Sequence, residues 1–108
     1  MSDVEMPVFR IDSFIVPEPA RSEFLQRVTA THQVLRRQKG FVFDRIVERS
    51  LGDGTSRLIT IVEWDGADAI AGAVRAVRQA HAGDAFTAAD FIADNGIVAD
   101  IAMYRPAL

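Results

Sequence analysis

The 108-residue chain contains no cysteine. That excludes disulfide bonds, thiolate nucleophiles and the cysteine-ligated zinc sites, and it is compatible with a reducing compartment. Histidine occurs only at His32 and His81, and neither belongs to a spaced ligand motif, so no metal site and no cofactor are expected. Positive charge is not in excess. Twelve Lys and Arg against fifteen Asp and Glu leave a net charge of −3, which argues against a nucleic-acid or anionic-membrane partner. The one basic cluster, Arg36, Arg37 and Lys39, reads as a helix C-terminus complementing its dipole. Long apolar runs are also missing: none approaches the roughly 18 residues a membrane span needs. The start, Met1-Ser2-Asp3-Val4-Glu5, is acidic and unlike a signal peptide, so a soluble cytoplasmic protein is expected.

What is present is an ordinary globular composition, 49% hydrophobic and 25% charged, in a chain long enough for one domain over residues 1–108. Val8 to Val16 reads as a strand stopped by Pro17 and Pro19, with Pro19 suited to the first turn of a helix. That helix runs to about Gln38, with Phe24, Leu25, Val28 and Leu35 on one stripe and Gly40 as its left-handed stop. Phe41 to Ser50 and Ser56 to Trp64 form a hairpin around Gly52-Asp53-Gly54, which no Lys-Ser or Lys-Thr follows and which is therefore a turn rather than a phosphate loop. Asp65, completed by Asp68, is expected to cap a second helix carrying Ile70, Val74 and Val77 and ending by Gly83. A short helix from Ala88, with Thr87 as its N-cap, stops at Gly96, and Ile97 to Arg105 make the last strand. The order β-α-β-β-α-(short α)-β predicts an α+β, ferredoxin-like domain: a four-stranded antiparallel sheet with two main helices on one face.

Alternation along the strands divides the sheet residues between two faces. Phe9, Ile11, Ile59, Ile61, Ile101 and Met103 gather on one, which is apolar enough to lie under the helices. The other mixes Asp12, Asp44 and Thr60 with Phe14, Ile46, Val62, Trp64 and Tyr104. A solvated face has no need of so many large apolar groups, so the mixed face is expected to form a homodimer interface, sheet against sheet.

Both histidines fall on inward helical stripes: His32 is four residues after Val28, and His81 four after Val77. Imidazole there is a candidate general base for an acidic C–H or phenol, with His32 ahead of His81. A histidine hydrogen-bonded within the core shows the same pattern. Ser13 and Arg45 are the polar exceptions on the face assigned to the helices, and a buried arginine there needs an anionic partner, on the protein or on a ligand. Phe41, Trp64, Phe86 and Phe91 are candidate pocket walls and equally candidates for simple packing. No pair of carboxylates has a spacing that implies shared acid–base work.

The element order, the passage from Thr31-His32 to Gly40-Phe41-Val42, and Val62-Glu63-Trp64 closing a strand before the second helix together resemble the antibiotic biosynthesis monooxygenase domain family, within the dimeric α/β-barrel superfamily. The resemblance covers about Val8 to Tyr104. It implies a dimer and, among its activities, cofactor-independent oxidation of polyketide aromatics or haem degradation. The anthrone-oxidising members carry an Asn four residues before a Trp and a Tyr six after it; aligned on Trp64, this chain has Thr60 and Ile70 there. The haem-degrading members use an Asn in the first strand, and this first strand has none. The resemblance thus implies a monooxygenase-like enzyme acting on a small aromatic or quinone-like metabolite. The same scaffold serves a non-catalytic dimeric small-ligand or accessory module, or an isomerase or lyase that needs the base but no oxygen.

Overall fold

The structure, a computed structural model, describes residues 6–108, so the acidic start lies outside the described residues. Seven elements follow one another: β1 (Val8–Pro17), α1 (Glu18–Leu35), β2 (Phe41–Ser50), β3 (Thr55–Trp64), α2 (Ala69–Gly83), α3 (Ala88–Asp94) and β4 (Val98–Tyr104). The strands form one sheet in the order β2-β3-β1-β4, with every neighbouring pair antiparallel. This is the ferredoxin-like arrangement expected from the sequence. Among the described residues no helix is long and apolar enough to cross a membrane.

Local chemistry explains most element boundaries. Proline at the start of α1 loses no intrahelical hydrogen bond, and Gly40 adopts φ +90° where the chain reverses into β2. α1 ends at Leu35, earlier than expected. Arg37 and Gln38 bond back to Val34 and Leu35 in tight i→i+3 turns, so the last turn is wound differently from the helix before it. α2 starts later than expected. The Asp65 N–H donates to Gly40 O at 2.8 Å, holding Asp65 to the sheet, and the helix begins only after Asp68, whose side chain makes no capping bond. The reciprocal cap anticipated for Asp65 and Asp68 is not formed.

The sheet faces are the reverse of the sequence expectation for three of the four strands. In β3, Ser56, Leu58, Thr60, Val62 and Trp64 are buried under the helices, and the residues between them are only half-buried. Register then places Arg10, Asp12, Phe14 and Val16 of β1, and Asp44, Ile46 and Glu48 of β2, on that same inner face. β4 alone keeps the expected side, since Ala99, Ile101 and Met103 pair with Phe14, Asp12 and Arg10. The mixed polar face is therefore the one beneath the helices. The outer face, carrying Phe9, Ile11, Ile15, Ile59 and Ile61, has no helix packed on it among the described residues.

The inner layer does not hold one continuous core. Phe14, Val16, Ala20, Phe24, Leu58 and Ile97 pack at one end, and Val62, Trp64 and Ala73 at the other. The sheet positions between those clusters, Asp12 and Thr60, are polar, and there the helices and sheet stand apart.

Candidate functional site

Two connected lobes open between the helices and the sheet, with volumes of about 230 and 320 Å³. One is walled by Phe14, Phe24, Phe86, Phe91 and Ile101, the other by Leu35, Val62, Trp64, Ile70 and Val77. Arg10, Asp12, Thr31, His32, Thr60 and His81 line both lobes and make a polar waist between them. An apolar cleft with a few converging polar groups is the usual form of a small-molecule site.

His32 lies on the sheet-facing side of α1, 4% exposed. Its Nδ1 is 2.9 Å from Asp44 Oδ2. Asp44 on β2 is also gripped by Arg36, whose Nε reaches Oδ2 at 2.9 Å and whose Nη2 reaches Oδ1 at 3.1 Å. Burial pushes the Asp44 carboxyl up, but the hydrogen bonds and charges of Arg36 and His32 outweigh it and hold the group below the usual carboxylate range. An ionised Asp44 accepts, so His32 donates from Nδ1–H, and in the neutral ring the lone pair then belongs to Nε2. Nε2 has no protein partner among the described residues and is not sealed off as a buried unpaired atom, so it opens to the cleft that His32 lines. The result is an oriented imidazole, backed by a carboxylate that is fixed in turn by an arginine, an arrangement able to accept a proton from a ligand in the cleft.

Asp12, on β1, behaves in the opposite way. Burial raises its carboxyl above the ordinary value, and the Arg10 hydrogen bond (Nε to Oδ1, 2.7 Å), the Arg10 charge, a backbone bond from Ala102 and the His32 charge only partly oppose that. His81, near the end of α2, is half-buried, with Nε2 3.2 Å from Thr31 Oγ1 and the Phe86 ring edge-on at 5.0 Å. Phe86 is further covered by the Arg27 guanidinium, 4.1 Å above its ring centre, and it packs on Phe91, which stacks on Phe24.

Six of the residues singled out from sequence stand at this cleft or beside it. His32, His81, Trp64, Phe86 and Phe91 line it. Phe41 does not reach it. A bulge at Val42 turns Phe41 inward, where it packs edge-on against Trp64 at 5.9 Å as part of the end cluster. Ser13 and Arg45, expected under the helices, do not face the cleft. Both lie on the outer face, where Ser13 Oγ accepts from Arg57 Nη1 at 2.9 Å, while Arg45 bonds its neighbour's carbonyl and lies over Phe43. Neither reaches the cleft, because register turns the apolar alternation of β1 and β2 outward and their mixed alternation inward. The residues missed were Arg10, Asp12, Arg36, Asp44 and Thr60. The signal for most of them was the alternation itself: polar groups interleaved with Phe14, Leu58 and Val62 mark a site under the helices as well as they mark an interface.

No family model matches the chain, and no curated protein matches it. Solved structures do. SnoaB from Streptomyces nogalater, a cofactor-independent oxygenase, matches with a TM-score of 0.64 and 20% identity, over 95% of each chain. A dimeric ferredoxin-like protein from an uncultured marine organism matches with a TM-score of 0.71 and 9% identity, over 96% of this chain and 98% of that one. A haem-degrading protein from Mycobacterium tuberculosis matches with a TM-score of 0.57 and 19% identity, over 96% of this chain and 94% of that one. At these identities the likeness is one of architecture: the chain has the ferredoxin-like fold of the antibiotic biosynthesis monooxygenases.

Proposed function

We propose that the chain is a cofactor-independent, monooxygenase-like enzyme acting on a small aromatic or quinone-like metabolite. The observation that carries this reading is the buried Asp44–His32 pair, held from the surface by Arg36, which presents an imidazole nitrogen without a partner among the described residues to a cleft walled by aromatic rings. His32 Nε2 takes a proton from an acidic C–H or phenol of the substrate. Asp44 stabilises the imidazolium that forms, and its own proton affinity is too low for it to take the proton itself. The carbanion or phenolate passes an electron to dioxygen and the two radicals combine. At a CH₂ centre, loss of water from the resulting hydroperoxide leaves a carbonyl, so that one oxygen atom enters the product and the other leaves as water. The protein contributes deprotonation, orientation and exclusion of water. Fold likeness to SnoaB supports this reading by analogy. The haem-degrading neighbour favours a different ligand, but the chain has no Asn on β1, and its single Trp is packed at the end of β3 with 2% exposure.

The working unit is a homodimer through the outer sheet face. The surface involved is not the one inferred from sequence, because Phe14, Ile46, Val62 and Trp64 belong to the inner face and Tyr104 alone of that group lies outside. The revised surface centres on Ile11, Ile59 and Ile61, with Val47, Val98 and Tyr104 around them at 47 to 63% exposure. An apolar patch crossing four strands marks an interface, and a structural neighbour is described as dimeric.

Incubating the protein with anthrones and hydroquinones under ¹⁸O₂ tests the activity. One labelled oxygen atom in a carbonyl product is the expected result. Turnover without oxygen consumption would identify an isomerase or lyase, and ligand binding without turnover a carrier module.

A further inference from the structure

We infer that the cleft selects an anionic ligand, whose acidic oxygen is held at the waist by the Arg10 guanidinium. This rests on the proposed reading of the cleft as a small-aromatic site, and adds the charge that its ligand carries. The molecule as a whole is anionic, at −3, yet three arginines, Arg10, Arg27 and Arg78, line the lobes against the single carboxylate of Asp12. A cleft with an excess of one sign and low-dielectric walls focuses its field on the ligand inside.

The three arginines are not equivalent. Arg27 lies over Phe86 in the aromatic lobe, and Arg78 belongs to the other lobe alone. Arg10 lines both lobes, on the strand beside Asp12 and in the same waist as His32. Its Nε is engaged by Asp12, whereas its two Nη groups have no partner among the described residues. At 34% side-chain exposure it is shielded enough for a charge-assisted bond to exceed its value in water. Arg21 and Arg36 each commit both Nε and Nη2 to a protein carboxylate, Glu48 and Asp44, whereas Arg10 commits Nε alone. Arg10 is therefore the guanidinium placed to meet a ligand's carboxylate, phenolate or enolate while the rings occupy the lobe of Phe14, Phe24 and Phe91. It is a binding and specificity residue, and His32 remains the base.

The full chain is titrated at pH 7 with two fluorescent probes that share a ring system, anthracene-9-carboxylate and 9-anthracenemethanol. The carboxylate is expected to bind at least about tenfold more tightly, the scale of one charge-assisted hydrogen bond. That gap should shrink as sodium chloride is raised. Arg10→Gln should close it while leaving affinity for the alcohol within about twofold, and Arg10→Lys should restore part of it. Equal affinity of the wild type for both probes would overturn the charge selection and leave the aromatic cleft standing. Binding of neither probe would remove the cleft reading along with the inference. A carboxylate preference that persists in Arg10→Gln would overturn the role of Arg10. The wild-type comparison and its salt dependence decide the charge question even if a variant does not fold.

Discussion

At the scale of single residues, the side chains that define the site are ones whose charge is matched inside the fold. Asp44 is 9% exposed and carries three hydrogen bonds, two from Arg36 and one from His32. Its carboxyl lies below the ordinary 3.8 in the folded state, so the unfolded chain binds protons first as the pH falls. The stability this group contributes is fully present above about pH 4 and is lost below it. Asp12 has the opposite sign, because a raised carboxyl costs stability once the pH exceeds 3.8. Urea unfolding between pH 3 and pH 8 separates the two. Asp44→Asn should lose about 2 kcal/mol at neutral pH, the worth of a hydrogen bond to a charged group, and should show a shallower loss toward acid than the wild type. Equal acid limbs in both proteins would mean that Asp44 is not ionised in the relay.

At the scale of elements, the β2 entrance is the point where backbone and packing coincide. Gly40 has φ +90°, and a Cβ added there would stand 2.6 Å from Ala69 Cβ and 2.8 Å from Asp65 Oδ1. Gly54 in the hairpin turn has φ +86° with nothing within 4 Å. Gly54→Ala therefore carries only the left-handed penalty, about 1 kcal/mol. Gly40→Ala adds the collision with α2 and should cost about 3 kcal/mol. Thermal melts of the two variants check this, and equal losses would show that α2 yields freely. These glycine stops, the proline entry to α1 and the hairpin were legible in the sequence, because each depends on a few neighbouring residues. The sheet faces were not. Which side of β1 meets the helices depends on long-range register, and the half-buried outer face is as apolar as a core, so hydropathy pointed to Ile11 and Ile61 where packing chose Phe14 and Val62. The Val42 bulge adds one residue to β2, and no local motif announced it. Asp44 and His32 lie twelve residues apart on different elements, so their pairing was invisible until α1 was docked on the sheet.

At the scale of the whole molecule, the chain is a slab 18 Å thick, little more than one sheet and one helix layer, with an apolar face left over. The proposed burial of that face against a second copy would let so small a chain give its inner layer to a cleft. Ile61→Asp, at the centre of the outer face, should convert a dimer to a monomer by light scattering and lower the melting temperature, while leaving the His32 surroundings unchanged. A wild-type monomer at micromolar concentration would contradict the assembly. The most direct test of the account is dioxygen uptake with an anthrone and hydroquinone panel, above the rate of spontaneous oxidation, in the wild type and in His32→Gln. The relay predicts uptake by the wild type and a fall of about a hundredfold or more in the folded variant, with ligand affinity retained. Uptake at the wild-type rate by His32→Gln would contradict it and return His32 to the core as a structural residue.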